Sequence, residues 1–179
     1  ADRYLSFTPL IVGPGTKTGV PVLTDNPREV GADRVVNALA AFTRYGGPSV
    51  VVDFGTGTNF DVVSERGEFL GGVIAPGLQI SAATLVQRAA RLTRVELEAP
   101  PSVIGTSTVT AIQSGLVYGT AGEVDSIVER IRAELGPAIV IATGGLAPVV
   151  IPHCRTIDHH EPFLTLEGLR LVHGKNLDG

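Results

Sequence analysis

Two spacings of apolar residues divide the first third of the chain, and each predicts a different kind of element. Residues 26–45 place apolar side chains near helical spacing, which predicts a helix with Asn26 as its cap and Pro27 in its first turn. The Gly-Gly-Pro run at 46–48 ends that helix. Residues 49–54 are mostly β-branched or aromatic and predict a buried strand.

The rest of the chain predicts an alternation of turns, strands and helices. Extended pieces are expected within 10–23, hairpin strands at 60–64 and 69–74, a buried strand at 138–142, glycine turns at 55–59 and 143–147, and helices at 78–92, 107–119, 123–135 and 164–172. We expect Ser107 or Thr106 to cap the helix at 107 and Gly115 to interrupt it. Strands followed by helices and a further buried strand indicate an α/β fold.

Composition narrows the classes of protein that remain. The 179 residues carry a net charge of −4, with 44% apolar and 18% charged residues, which is typical of a packed globular protein. The negative balance argues against nucleic acid or an acidic membrane surface as a partner, and no apolar run is long enough to span a bilayer. The only cysteine, Cys154, has no internal disulfide partner, so we predict a reducing, cytoplasmic location.

Charged residues in or beside apolar segments supply the candidate chemistry. Asp53 is flanked by valines and a phenylalanine, and a carboxylate in a buried strand needs a metal, hydroxyl donors or an arginine beside it. Asp33 and Arg34 suit a general base and a carboxylate-binding guanidinium, although an ion pair at a helix start is the alternative. The glycine turns suit phosphate binding or serve as plain turns. No P-loop or dinucleotide-binding fingerprint accompanies them.

Six motifs follow one another in a specific order. They are Asn26-Pro27-Arg28-Glu29-Val30-Gly31-Ala32-Asp33-Arg34, Val52-Asp53-Phe54-Gly55-Thr56, Leu70-Gly71-Gly72-Val73-Ile74-Ala75-Pro76-Gly77, Gln113-Ser114-Gly115, Ala142-Thr143-Gly144-Gly145-Leu146-Ala147 and Leu164-Thr165-Leu166-Glu167-Gly168-Leu169. From about residue 12 to residue 176 the chain thereby resembles the type III pantothenate kinases. The resemblance implies the ribonuclease H-like fold of acetate and sugar kinases, Hsp70 and actin, with ATP between two duplicated α/β halves. It also implies a kinase of coenzyme A biosynthesis, usually a dimer, that uses ATP, Mg²⁺ and a monovalent cation, K⁺ or NH₄⁺.

The same resemblance gives each candidate residue a role. Asp33 would be the general base for the substrate hydroxyl, and Asp53 would hold the monovalent cation near the phosphates. The substrate-binding residues would be Gly31, Arg34 and Thr108. The nucleotide and phosphate would be bound by Gly55, Thr56, Thr58, Gly144 and Gly145. Residues 1–47 would be a remnant of the first half, its last strand and the helix carrying Asp33, and residues 48–179 would be the complete second half.

Departures from the family shape the predicted function. The family begins with a phosphate-binding strand and turn of the type Asp-x-Gly-Asn-Thr, which has no counterpart among the 179 residues. We therefore expect one subunit of a split kinase for pantothenate or a related small hydroxy acid, completed by a separate short chain in a heterodimer or heterotetramer. Two alternatives stay open: a homologue repurposed to phosphorylate another hydroxyl and so promote its elimination, and a non-catalytic scaffold. The substitutions that keep the first of these open are Thr24, Gly57, Asn59, Thr93 and Thr106, where the family often has Tyr, Ala, Thr, Pro and Lys.

Overall fold

A five-stranded mixed sheet forms the centre of the computed structural model, which describes residues 9–13, 15–88 and 95–177. The strands lie in the order β3-β2-β1-β4-β5; β1, β2 and β3 form an antiparallel meander, and β4 and β5 run parallel to β1. Their bounds are Ser49–Phe54 for β1, Gly57–Val63 for β2, Phe69–Pro76 for β3, Ile139–Thr143 for β4 and His159–His160 for β5. Short turns suffice for the meander, whereas the parallel pairing of β4 with β1 needs the long helical crossover between β3 and β4.

Helices cover both faces of this sheet. They are α1 at Ala32–Tyr45, α2 at Leu78–Arg88, α3 at Thr108–Leu135, α4 at Ala147–Val150 and α5 at Leu164–Lys175, with short 3₁₀ turns at Pro27–Glu29 and Ile151–His153. Because side chains alternate along a strand, Val50, Val52 and Phe54 of β1 pack with α2, α3 and α4, while Val51 packs with α1 and α5. One sheet between two helical layers is the α/β arrangement that the sequence predicted.

The β1–β2 hairpin differs from the prediction in the length of its turn. Strand β1 has the predicted bounds, but β2 begins three residues earlier than expected, so the turn holds only Gly55 and Thr56. Thr58, which we placed in a phosphate-binding turn, instead pairs with Phe54 in the ladder and is buried. That placement of Thr58 was wrong because the ladder extends to the Phe54–Thr58 pair, so only residues 55–57 connect the paired parts of the two strands.

Helix α3 is a single helix of 28 residues rather than two. The expected break at Gly115 is wrong, because the buried side chains on either side of it, among them Leu116 and Val124, pack into one continuous core and outweigh the weak helix propensity of glycine. Ser107, one of the two residues predicted as the cap, caps the helix. Its hydroxyl accepts from the Thr110 backbone N–H at 3.2 Å, and the Thr110 hydroxyl accepts from the Ser107 backbone N–H.

The first helix begins later than predicted. Pro27–Glu29 form a separate 3₁₀ turn, and α1 starts at Ala32. Asn26 does not cap α1, because its side-chain amide donates to the Glu29 carboxylate at 2.5 Å instead. This shift matters for function, since it places Asp33 in the first turn of α1.

Other segments agree with the prediction in part. Where two extended pieces were expected within 10–23, the described residues form one ladder contact, a parallel bridge between Val22 and Phe69. Glycine and proline recur at positions 13, 15, 19 and 21, which disfavours a continuous strand there. Helix α2 follows the prediction as far as Arg88, and predicted residues 89–92 lie outside the described residues. The short elements α4 and β5 were not predicted.

Two helical glycines provide a matched test of the α3 and α5 packing. A Cβ added at Gly115 of α3 would meet no described residue within 4 Å, so Gly115→Ala is expected to stabilise the protein by about 0.5–1 kcal/mol through helix propensity. A Cβ at Gly168 of α5 would lie 2.6 Å from the carbonyl carbon of Val36 in α1, so Gly168→Ala is expected to destabilise it. Urea unfolding of both variants measures the difference. Equal effects of the two substitutions would contradict the close α1–α5 contact.

The division of the chain at residue 47 stays a prediction. Helix α1 comes from the first part and α5 from the second, yet both contribute to the core on the same face of the sheet, where Ala40 and Ala41 meet Leu164.

Within the described ranges, no helix has both the length and the apolar character needed to cross a membrane.

Candidate functional site

Asp53 lies at the end of β1, on the face of the sheet that α1 and α5 cover. Its carboxylate oxygen Oδ2 accepts from the Asn37 side-chain amide of α1 at 3.4 Å. The Asn37 carbonyl oxygen in turn accepts from the Thr165 hydroxyl, in the first turn of α5, at 2.8 Å. Asn37 is only 1% exposed, so this chain of hydrogen bonds is largely shielded from water. Two helices therefore hold one oxygen of Asp53 and leave the other, Oδ1, for a different partner.

Two glycine turns approach that second oxygen. An added Cβ would lie 2.6 Å from Asp53 Oδ1 at Gly144, which follows β4, and 3.5 Å from it at Gly55, which follows β1. The backbone of Gly144 has φ of +97°, a conformation that glycine adopts without strain. Burial and then the nearby charge of Asp33 raise the pKa of Asp53, while the Asn37 hydrogen bond lowers it. The turns predicted at the two strand ends thus meet around one carboxylate.

Asp33 occupies the first turn of α1 and is exposed. Its Oδ1 accepts from the backbone N–H of Arg34 at 3.0 Å. The carboxylate folds back over Gly31, where any added Cβ would clash with it. Asp33 lies on α1, the helix whose Asn37 hydrogen-bonds to Asp53, and its charge contributes to the raised pKa of Asp53. A carboxylate that is exposed and uses one oxygen locally is suited to accept a proton from a bound hydroxyl.

Arg34 pairs with a residue that the sequence reasoning missed. Its Nε donates to Oδ1 of Asp61 in β2 at 2.6 Å, and Asp61 is completely buried. The alternative of an ion pair between Arg34 and Asp33 does not describe the structure, since the Asp33 carboxylate accepts from the Arg34 backbone and the guanidinium turns to Asp61. Burial raises the pKa of Asp61 to about 6, although the charge and hydrogen bond of Arg34 lower it.

The remaining predicted residues are not all brought together. Thr56 is exposed in the turn beside Gly55, and Gly145 is exposed beside Gly144 with open space around it. Thr58 lies in β2 on the face opposite Asp53, because strand side chains alternate, and its hydroxyl has no hydrogen-bond partner among the described residues. Thr108 is exposed at the start of α3, and its side chain forms none of the hydrogen bonds that link the Asp53 cluster. Thr93 lies outside the described residues.

Asp61 and Asn37 carried a signal that the sequence reasoning did not use. Asp61 is a carboxylate in an apolar strand, the same signal that singled out Asp53. In the observed register Asp61 lies opposite Val51, so strand alternation places it on the Asp53 face. Asn37 falls within the buried stretch of α1, where a polar side chain needs a hydrogen-bond partner.

The donor set fits a cation that is shared with a phosphate group. Asp61 pairs with Arg34 and also feels the charges of Asp53 and Asp33, so three carboxylates share one arginine and a polyphosphate would be repelled here without additional positive charge. In the part of the chain that the structure describes, no three His, Cys, Asp or Glu side chains are arranged to hold a metal ion by themselves. Mg²⁺ is usually held by one or two carboxylates together with substrate phosphates, which is what the free oxygen of Asp53 between two glycine turns allows.

Two solved structures share this fold. A conserved Baf family protein from Campylobacter jejuni matches 86% of this chain and 68% of its own length, with a TM-score of 0.56 and 22% identity. The activator of 2-hydroxyisocaproyl-CoA dehydratase from Clostridium difficile, with bound ADPNP, matches 87% of this chain and 72% of its own, with a TM-score of 0.50 and 12% identity. At these identities the likeness concerns the fold alone. The predicted fold class, α/β of the acetate and sugar kinase, Hsp70 and actin type, is confirmed.

Sequence comparison identifies the family. A sequence model of type III pantothenate kinase matches residues 1–130. The type III pantothenate kinase of Acidothermus cellulolyticus is 62% identical over 177 residues, and that of Moorella thermoacetica is 54% identical over 175; these matches cover 98% and 97% of this chain and 69% of each relative. The chain therefore belongs to the type III pantothenate kinase family. Membership implies ATP-dependent phosphorylation of pantothenate.

Proposed function

We propose that this chain carries the substrate-activating part of a kinase that transfers the γ-phosphate of ATP to a hydroxyl of pantothenate. One observation supports the proposal most directly: the exposed Asp33 lies one helical turn before Asn37, which hydrogen-bonds to Asp53, and the free oxygen of Asp53 faces two glycine turns. The base that accepts the hydroxyl proton and the glycine turns that bind the phosphates are then adjacent. Phosphoryl transfer depends mainly on such positioning and on charge neutralisation.

Each step has a residue in position to support it. The hydroxyl proton passes to the Asp33 carboxylate as the oxygen forms its bond to the γ-phosphorus, and the bond to the β-phosphate oxygen breaks with its electron pair to give ADP. Arg34 binds the substrate carboxylate through its two Nη groups, because only its Nε is committed to Asp61. Gly31 leaves room for the Asp33 carboxylate beside it.

The phosphate side of the site is formed by the two strand-end turns. We propose Gly55, Thr56, Gly144 and Gly145 as the residues that approach the ATP phosphates, and Asp53 as the ligand of a cation there, a monovalent K⁺ or NH₄⁺ or a phosphate-bound Mg²⁺. Such a cation neutralises the negative charge of the phosphates, which the three nearby carboxylates would otherwise repel. A contact of Thr108 with the substrate stays a prediction. The proposed location is the cytoplasm, where ATP and a reduced Cys154 are compatible.

A complementary protein segment is part of the proposal. The chain spans 67–71% of the length of the relatives that it matches here. Large apolar side chains are exposed in residues 10–23 and at the start of α5: Leu10, Ile11, Leu23, Phe163 just before the helix, and Leu166 within it. Apolar surface of this kind is normally covered by another part of the protein. We propose that the covering segment carries the Asp-x-Gly-Asn-Thr turn, and that it is a separate short chain in a heterodimer or heterotetramer.

Co-expression with a candidate short chain tests both statements. We expect a stable complex in size-exclusion chromatography and ADP release that depends on pantothenate, on Mg²⁺ and on the second chain. Full activity of these 179 residues alone would contradict the need for a complementary segment. Activity with a longer single polypeptide, but not with two chains, would contradict the split arrangement while leaving the kinase proposal intact.

A panel of hydroxy acids in the same assay tests the substrate. Thr24 Cγ2 lies 3.8 Å from the Cβ position of Gly71, and the Cβ position of the next residue, Gly72, lies 3.2 Å from Arg34 Nη2. A shorter side chain than tyrosine at this position favours, as a second candidate, a kinase that accepts another hydroxy acid. Turnover of such an acid and not of pantothenate would establish that candidate. A stable complex without turnover of any acid would establish the scaffold.

A further inference from the structure

Asp61 has an unusual environment for a carboxylate. It lies in the middle of β2, opposite Val51 of β1 and Gly72 of β3, and its side chain is 0% exposed. One oxygen, Oδ1, accepts from Arg34 Nε at 2.6 Å. The other oxygen, Oδ2, is buried without a hydrogen-bond partner among the described residues. An incompletely paired carboxylate at the centre of a sheet calls for an explanation other than packing.

Stability does not explain Asp61. Burial raises its pKa to about 6 even though the charge and hydrogen bond of Arg34 act in the opposite direction, and the nearby Asp53 and Asp33 raise it further. The ionised form is therefore less favoured in the folded protein than in the unfolded chain, so at neutral pH the charge reduces stability. An apolar side chain such as that of Val63, two positions further along the same face of β2, would pack there at lower cost.

The surroundings of Arg34 show what Asp61 accomplishes. Asp61 holds the guanidinium at Nε, and the ring of Phe69 lies under it, with 5.2 Å from the guanidinium carbon to the ring centroid. Nη2 passes 3.2 Å from the position that a Cβ on Gly72 would occupy. Three neighbours thus fix the plane of the guanidinium. Neither Nη group donates to any described residue.

We propose that Asp61 is the positioning residue that aims Arg34 at the substrate carboxylate. The inference rests on the proposed function, in which Arg34 binds that carboxylate. A free arginine side chain samples many rotamers, and binding a carboxylate bidentately requires the planar fork to be fixed in advance. Asp61 fixes the fork by accepting from Nε–H, the guanidinium N–H closest to the aliphatic part of the arginine side chain. The two terminal Nη groups are left for the ligand.

Steady-state kinetics of Asp61→Asn in the catalytically complete protein test the proposal. We expect KM for pantothenate to rise by about tenfold or more, as loss of a charge-assisted contact implies, with kcat and KM for ATP nearly unchanged. Pantothenyl alcohol, which lacks the carboxylate, serves as the comparison substrate. The preference for pantothenate over the alcohol is expected to shrink in Asp61→Asn. An unchanged preference would overturn the proposal.

A double-mutant cycle separates positioning from a structural role. If Asp61 acts through Arg34, Asp61→Asn has no further effect on pantothenate KM once Arg34→Gln is present; additive effects would overturn the proposal. The Tm of Asp61→Asn at neutral pH is expected to equal or exceed that of the wild type. Asp125→Asn is the matched control, since Asp125 is a buried carboxylate that accepts from Arg155 and Thr156 away from the site. It should lower Tm and leave pantothenate KM unchanged.

A spectroscopic readout keeps this inference distinct from the proposed function. The Nε–H of Arg34 is expected to give a resonance protected from solvent exchange in ¹⁵N NMR spectra of the wild type and to lose that protection in Asp61→Ala, which removes the acceptor oxygen. Protection in the wild type without any turnover of pantothenate would overturn the proposed function and leave the Asp61–Arg34 arrangement standing. Equal exchange in both proteins would overturn the inference.

Discussion

Asp33→Asn is expected to lower kcat for pantothenate phosphorylation by about 10²- to 10⁴-fold, the usual contribution of a general base. The amide keeps the size of the side chain and still accepts a hydrogen bond from the Arg34 N–H, so α1 should start unchanged. What it loses is the capacity to take the hydroxyl proton. KM for ATP should therefore stay close to the wild-type value, because the two glycine turns do not involve Asp33.

Glu65→Gln is the control for this loss of charge. Glu65 is exposed in the turn between β2 and β3, next to Gly47 and hence at the opposite end of β1 from Asp53. It removes the same unit of negative charge and is expected to leave kcat unchanged. Stopped-flow or coupled ADP assays of both variants measure the difference. A kcat for Asp33→Asn within a few-fold of the wild type would remove Asp33 from the role of base and leave it as a helix N-terminal acid.

Local signals were sufficient to predict the elements that carry Asp53. Its strand is a short apolar run bounded by glycines, and both its bounds and its burial agree with the structure. The glycine turn after β4 was predicted for the same reason. The predicted helix break, in contrast, rested on the weak helix propensity of one residue, and tertiary packing outweighs such a propensity. Gly115 lies in the interior of one long helix because the residues around it bury a continuous apolar surface.

The contacts that complete the site depend on register and on distant parts of the chain. Asp61 meets Arg34 because the β1–β2 register pairs Phe54 with Thr58 and Val51 with Asp61; a shift of this register by one residue would move Asp61 to the other face of the sheet. Thr165 reaches Asn37 across 128 positions of sequence, and no spacing within either helix predicts that pair. Sequence reasoning therefore identified the residues with direct chemical roles more readily than those that orient them.

Gly144→Ala is expected to lower kcat/KM for ATP by about 10²-fold, the size of effect that a 1 Å displacement in an active site produces. Its Cβ would lie 2.6 Å from Asp53 Oδ1 and 2.6 Å from the Phe54 carbonyl oxygen, which is closer than non-bonded atoms approach. The φ of +97° adds strain for any residue other than glycine. The backbone of the turn must shift, and the Asp53 carboxylate must move from between the two turns.

Two other glycines separate strain from function in this prediction. Gly136 follows α3 with φ of +91°, at the opposite end of β4 from Gly144, and no atom in the described part of the chain lies within 4 Å of an added Cβ. Gly136→Ala should therefore lose about 1–2 kcal/mol of stability from backbone strain alone and keep its ATP kinetics. Gly145→Ala meets nothing within 4 Å and should fold as stably as the wild type. If Gly144→Ala behaves like Gly136→Ala, with lower stability and unchanged kcat/KM for ATP, the turn after β4 does not bind the nucleotide.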